Sequence, residues 1–226
     1  MGRKKLKQKL DLSEFTNVAA VYAAKACSKP GAATGDWAFS YNANAYILAH
    51  EAGHAWFDLQ HANSELVEGE DLEYGDRGNV MGANSAFHSL NPEQQRRIGV
   101  TQYKIKEVKR NGKYLIQRTG GSTKMPHALR VVDENDPNTS YYISYKPLVP
   151  VTETVDDSNM YYDYFGGVVV HRANTANVYS PQYFLGSLTI PYPDGNMLPD
   201  WVEFVREVNS DVVMVRINKP TFPSRK

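Results

Sequence analysis

The chain has 226 residues, of which 42% are hydrophobic, so it can bury a substantial core as one large domain or two small ones. Lysine plus arginine and aspartate plus glutamate both total 25, and this balance does not favour a nucleic-acid or membrane-surface partner. The apolar runs are far shorter than a membrane span. The single cysteine, Cys27, excludes an internal disulfide and fits a small buried residue better than a catalytic thiol.

The N-terminal segment predicts one helix followed by a loop. Residues 3–9 are basic, which predicts a solvated tail, and they lack the apolar core of a signal peptide. A helix is predicted from Ser13, a suitable N-cap, to about Ser28, because Pro30 and Gly31 would stop it there. Small residues at 32–36 predict a loop, after which Asn42 or Asn44 can cap the next helix.

The most informative stretch is the sequence HEAGH, which begins at His50 and ends at His54. Residues four apart lie on the same face of a helix, so these two histidines can direct nitrogens at one metal ion. The apolar residues 45–49 predict that the same helix begins before them. Nitrogen donors with this spacing predict a zinc site.

A catalytic zinc site uses three protein ligands and leaves a fourth position for water. His61 is the natural third ligand, and Glu51 can take the proton from the zinc-bound water. The chemistry this predicts is hydrolysis of a peptide bond. The competing third ligands are the carboxylates of the acidic run that follows, Glu65, Glu68, Glu70, Asp71 and Glu73.

Four segments together resemble one family. The sequences HEAGH, LQHANS and EYGDRGNVMG, and the segment Arg96–Val100, are similar to the gametolysin-type branch of the metzincin zinc peptidases. The resemblance covers roughly residues 35–100. It implies that Met81 forms an apolar floor beneath the zinc, that the enzyme is exported, and that its substrates are extracellular proteins or glycoproteins.

The chain departs from the metzincin pattern HExxHxxGxxH in two ways. The third histidine comes one residue late, at His61, and Phe57 replaces the helix-ending glycine. We predict that Asp58 adopts the left-handed conformation instead, so that His61 still reaches the metal. In addition, fewer residues precede His50 than the family's substrate-binding sheet needs, so a truncated or inactive zinc-binding relative is an alternative.

The region after His61 is predicted to form a surface loop followed by a helix. The acidic loop is predicted to be a solvated surface, and calcium as a second cofactor has no support because its oxygen ligands lack EF-hand spacing. Asn91 and Pro92 predict the start of a helix. His88 is predicted to be structural rather than a ligand.

From Thr101 onward the pattern changes to short strands. Asn111 and Gly112 predict a hairpin turn between strands at 103–108 and 114–118. Further strands are predicted at 128–132, 141–145, 167–171, 185–190 and 212–217. Strands at this spacing favour a β-sandwich, with the domain boundary near Val100.

The C-terminal part has no catalytic constellation of its own. Tyr141, Tyr142 and the cluster at 161–164 are interpreted as half-buried strand residues, with a glycan- or protein-binding patch as the alternative. His127 and His171 are predicted to be core or surface residues. The acidic residues at 133–136 predict a turn, where calcium has only weak support.

The sequence therefore predicts an α+β chain with a zinc peptidase domain at 1–100 and an all-β sandwich at 101–226. The ligands are His50, His54 and His61, Glu51 is catalytic, and Met81 lies in the family's methionine turn. The alternatives are an inactive zinc-binding relative and a matrix- or glycan-binding adhesion module. The expected partner is a protein or glycoprotein substrate, and no oligomerisation signal is readable.

Overall fold

The computed structural model describes residues 15–22, 31–41, 44–65, 71–76, 78–82, 89–150, 164–177, 179–189 and 197–222. Strands outnumber helices among these residues, and the α+β class holds broadly. The chain divides into two compact units, Met1–Leu59 and Gln60–Lys226. This division comes before the boundary predicted near Val100, because the short strand at Ala62–Ser64 pairs with a strand of the C-terminal sheet.

Three strands of the first unit form a small mixed sheet. They are β1 (Val18–Val21), β2 (Gly31–Thr34) and β3 (Trp37–Ser40), in the order β1-β3-β2. β1 is parallel to β3, and β2 is antiparallel to it, so β2 is an edge strand of this sheet.

Two predictions for this region were wrong. The helix predicted from Ser13 to about Ser28 is replaced at Val18–Val21 by strand β1, because short apolar runs suit either structure and pairing with β3 decides. The part of that prediction at 23–28 lies outside the described residues. The predicted loop at 32–36 is mostly strand β2, and only a two-residue turn remains. Gly35, with φ of +52°, permits that turn.

The long helix α1 (Ala45–Phe57) packs mainly against β2 and β3. The Asn44 side chain accepts hydrogen bonds from the backbone N–H groups of Tyr46 and Ile47, which confirms Asn44 as the N-cap. At the other end, Trp56 Nε1 donates to the carbonyl of Asp36 at 3.2 Å. The Trp56 contact therefore fixes the C-terminal end of the helix to the turn between β2 and β3.

The second unit contains two sheets and a short helix. The larger sheet has the order β4-β10-β9-β8-β7-β5, and the smaller has the order β11-β12-β6. The elements are β4 (Ala62–Ser64), α2 (Pro92–Arg97), β5 (Ile105–Glu107), β6 (Gly112–Gln117), β7 (Ala128–Val132), β8 (Thr139–Pro150), β9 (Tyr164–Asn174), β10 (Gln182–Ser187), β11 (Val202–Asn209) and β12 (Val212–Ile217).

One hydrophobic core joins the two sheets, which is the layered packing of a β-sandwich. Its fully buried members include Ile116, Leu129, Ile143, Val170 and Val215. The predicted bounds of β7 and β12 are confirmed exactly.

The predicted hairpin at Asn111 and Gly112 was wrong. Strand β5 pairs with β7, whereas β6 pairs with β12 in the other sheet. Asn111 Nδ2 instead donates hydrogen bonds to the carbonyls of Lys219 and Phe222, and these bonds hold the C-terminal segment in place.

Helix α2 begins as predicted, with Asn91 as N-cap and Pro92 in the first turn. Its buried Glu93 carboxylate accepts hydrogen bonds from Arg96 and from the Tyr142 hydroxyl, the latter at 2.6 Å. Because Tyr142 lies on β8, this contact fixes α2 to the larger sheet.

Candidate metal centre

Helix α1 places two imidazoles side by side. His50 Nε2 and His54 Nε2 lie 3.1 Å apart, and their rings meet edge to face. Two nitrogens bound to a tetrahedral zinc at 2.0–2.1 Å are separated by about 3.3 Å, so the observed spacing fits such an ion. His54 Nδ1 lies 2.6 Å from the Leu59 carbonyl oxygen, which favours the tautomer that presents Nε2 to a metal.

The turn after α1 brings the third histidine into place. Asp58 has φ of +50° and ψ of +30°, the left-handed conformation predicted for it in place of glycine. The Gly53 carbonyl accepts the N–H groups of both Asp58 and Leu59, so the helix ends in a tight reversal. Leu59 is almost completely buried beyond it.

His50, His54 and His61 together form a group that could hold a metal ion. One ring nitrogen from each of the three residues lies within 4.8 Å of the others. Three nitrogen donors that converge in this way suit zinc and leave a position for another ligand. The sequence-predicted ligand set is therefore brought together.

Glu73 and Tyr74 contact the imidazole of His61. His61 Nδ1 lies 2.7 Å from Glu73 Oε1, and the ring centroids of His61 and Tyr74 are 3.9 Å apart. Glu65 pairs instead with Arg172. Asp71 accepts hydrogen bonds from the side chains of Asn63 and Tyr183. Of the other competing carboxylates, Glu68 and Glu70 lie outside the described residues.

Glu51 lies beside the start of strand β2. A Cβ atom at Gly31 would lie 2.7 Å from Glu51 Oε1 and 2.5 Å from Ile47 Cγ2, so only glycine leaves room for this carboxylate. Burial raises the pKa of the Glu51 carboxyl above its usual range. The sequence motif identified Glu51, but no sequence signal indicated the role of Gly31.

Met81 is completely buried in a closed turn. Its N–H donates to the Asn79 side chain at 2.9 Å, and its carbonyl accepts from the N–H of Ala62 at 2.8 Å. A side chain at Gly82 would clash with the Asp76 carbonyl, because its Cβ would lie only 1.9 Å from the oxygen. The turn therefore has one tight geometry, while the position of Met81 beneath a zinc ion stays a prediction.

A buried charge network holds the same turn to the larger sheet. Asp76 Oδ2 accepts from His171 Nε2 at 2.9 Å and from the Asn79 side chain at 3.2 Å, while Lys146 Nζ donates to the Gly78 carbonyl at 2.8 Å. Burial alone would raise the pKa of Asp76, but the Lys146 charge and the hydrogen bonds outweigh it and hold the pKa far below its usual range. Burial lowers the pKa of His171 despite the neighbouring carboxylate.

The other residues singled out in the sequence make contacts that stabilise the fold. His127 is buried, accepts a hydrogen bond from the Lys104 N–H, and stacks on Tyr103. Asp133 and Asp136 accept backbone hydrogen bonds within a turn, as predicted. The predictions for Cys27, for His88 and for Tyr161 and Tyr162 fall outside the described residues, while Tyr164 begins strand β9.

No protein-family model, curated protein or solved structure matches the chain. No helix in the described part of the chain is long and apolar enough to cross a membrane. The functional argument therefore depends on the geometry of the site itself.

Proposed function

We propose that this protein is a zinc-dependent endopeptidase of the gametolysin-like, metzincin type. The observation that carries the proposal is the convergence of His50, His54 and His61, with Glu51 adjacent in sequence to the first of them. His50, His54 and His61 would hold the ion, and Glu51 would act as general base.

In the proposed reaction, a bound zinc ion supplies a positive charge that polarises the scissile carbonyl and makes a water molecule more acidic. The Glu51 carboxylate accepts a proton from the attacking water as the new carbon–oxygen bond forms. The protonated Glu51 then donates that proton to the leaving nitrogen as the carbon–nitrogen bond breaks.

Strand β2 supplies the substrate-binding edge in this proposal. It lies at the end of the order β1-β3-β2, so its outer edge can pair with an extended peptide by strand addition. Its first residue, Gly31, lies against Glu51, which would bring a paired peptide close to the general base. This three-stranded sheet argues against the alternative in which the peptide groove is missing. The resemblance implies extracellular proteins or glycoproteins as substrates.

The test combines metal content with cleavage of an unfolded protein. Purified wild type should contain zinc and cleave casein or gelatin, and a chelator should abolish the cleavage until zinc is restored. His50→Ala, His54→Ala and His61→Ala should each lose most of the metal. Glu203→Gln, which removes a surface partner of Arg216, is the matched control and should behave as wild type.

Two results would contradict the proposal. Full zinc retention in His61→Ala would exclude the three-histidine site. Zinc-loaded wild type without turnover of any unfolded protein would identify an inactive zinc-binding relative.

A further inference from the structure

Two consecutive residues, Glu73 and Tyr74, hold the His61 ring at its edge and on its face. The Glu73 carboxylate binds Nδ1 at 2.7 Å, and the Tyr74 ring lies over the imidazole at a centroid distance of 3.9 Å. Tyr74 has φ of +61°, a conformation that non-glycine residues adopt rarely and at a cost. The backbone is thus held in a costly conformation at the point where it places this aromatic ring on His61.

We propose that Glu73 and Tyr74 are positioning residues that set the metal affinity of the third ligand. This inference rests on the proposed zinc site and deepens it. Neither residue is proposed as a metal ligand. Their function is to fix the tautomer and the orientation of the His61 imidazole before the ion arrives.

The backbone around Glu73 is anchored independently of His61. Leu72 and Ser64 exchange two backbone hydrogen bonds of 3.0 Å, and the Tyr74 N–H donates to the Asn63 side chain at 3.3 Å. Asp71 receives a hydrogen bond from that same Asn63 side chain at 2.9 Å. These contacts fix the backbone on both sides of Glu73, so the hydrogen bond to His61 need not supply that ordering.

The contact between Glu73 and His61 affects how strongly His61 would bind a metal more than it affects the stability of the fold. The Glu73 side chain is 65% exposed, and a solvent-exposed contact of this kind adds little to the free energy of unfolding. A histidine whose Nδ1–H donates to a carboxylate presents Nε2 as its electron-pair donor and becomes a stronger ligand. Loss of such a partner typically lowers metal affinity by about 10–100-fold.

The contacts of Glu73 and Tyr74 also explain how His61 can act as the third ligand although it lies one position later than in the metzincin pattern. The metzincin pattern places this residue one position earlier, after a glycine that ends the helix. Here Asp58 makes the reversal, and His61 follows it. Contacts from Glu73 and Tyr74 supply the orientation of the ring at this shifted position.

The experiment measures zinc affinity of the full-length protein by competition with a chromophoric chelator. Glu73→Ala should bind zinc about 10–100-fold more weakly than wild type, and Glu73→Gln, which keeps an oxygen acceptor, should lose less. Glu65→Ala is the matched control, because this carboxylate belongs to the same acidic run of the sequence but pairs with Arg172. It should bind zinc as wild type does. When cobalt replaces zinc, the visible spectrum of Glu73→Ala should differ from that of wild type, and the spectrum of Glu65→Ala should not.

Tyr74→Gly separates positioning from folding. Glycine adopts positive φ without cost, so this variant should keep the thermal stability of the metal-free protein while it loses zinc affinity. Unchanged zinc affinity in both Glu73→Ala and Tyr74→Gly would overturn the inference and leave the proposed function standing. A wild type that binds no zinc would overturn both.

Discussion

Substitution of Gly31 by alanine tests whether Glu51, the proposed general base, needs the space that a glycine leaves in strand β2. The added Cβ would lie 2.5 Å from Ile47 Cγ2 and 2.7 Å from Glu51 Oε1. Carbon atoms in contact normally lie about 3.5–4.0 Å apart, so the side chains or the strand must move by about 1 Å.

The structure gives the scale of two separate effects. Overpacking a tight site costs about 1–3 kcal/mol, so the free energy of unfolding should fall by that amount. A misplacement of about 1 Å at a reacting group can cost about 100-fold in rate, so kcat for a casein-derived peptide should fall by about 10–100-fold. Zinc content should not change, because Gly31 lies against Glu51 and not against a histidine ligand.

The assay compares kcat, zinc content and thermal stability of Gly31→Ala with those of wild type. Thr34→Ala, at the exposed end of the same strand, is the control and should keep the wild-type kcat. A Gly31→Ala protein with wild-type kcat would refute the reasoning that the carboxylate needs this gap.

Three further predictions concern the turn that carries Met81. Asp76→Ala should lower the free energy of unfolding by about 3–5 kcal/mol, measured by urea denaturation, because it leaves the Lys146 charge buried without its counter-charge. The pKa of His171 is lower in the folded chain than in the unfolded chain, so its contribution to the free energy of unfolding is present above about pH 6.5 and is lost as the pH falls. The urea midpoint of wild type should therefore decline below about pH 6.5, and His171→Gln should remove that decline. Met81→Ala should lower stability by about 2–5 kcal/mol, because its side chain is fully buried, and a smaller loss would contradict the observed packing.

The sequence predicted those parts of the fold that depend on local chemistry. The helix with His50 and His54, the Asn44 cap and the left-handed Asp58 all follow from side chains that act on their own backbone. Strand β12 was predicted with exact bounds, because its apolar residues are bounded by turn residues.

The failures concern pairing between distant segments. The turn at Asn111 and Gly112 satisfies the local preference for a hairpin, but the two strands beside it have more favourable partners in different sheets. Strand β1 contains too few residues to distinguish helix from strand by periodicity.

At the candidate metal site, too, contacts between residues distant in sequence could not be predicted. The three histidines of the candidate metal site follow from their spacing along one helix and the turn after it. Glu73 stood out only as one carboxylate among five, and nothing in the sequence indicated that it contacts His61. The pairing of Asp76 with His171 joins residues far apart in the chain, for which a single sequence carries no signal.

The most direct test of the central claim is a paired measurement on wild type and Glu51→Gln. Zinc content is determined by mass spectrometry, and casein cleavage is followed with and without a chelator. We expect one zinc ion per chain in both proteins and chelator-sensitive cleavage by wild type alone. Cleavage by Glu51→Gln at the wild-type rate, or cleavage by wild type that survives removal of the metal, would contradict it.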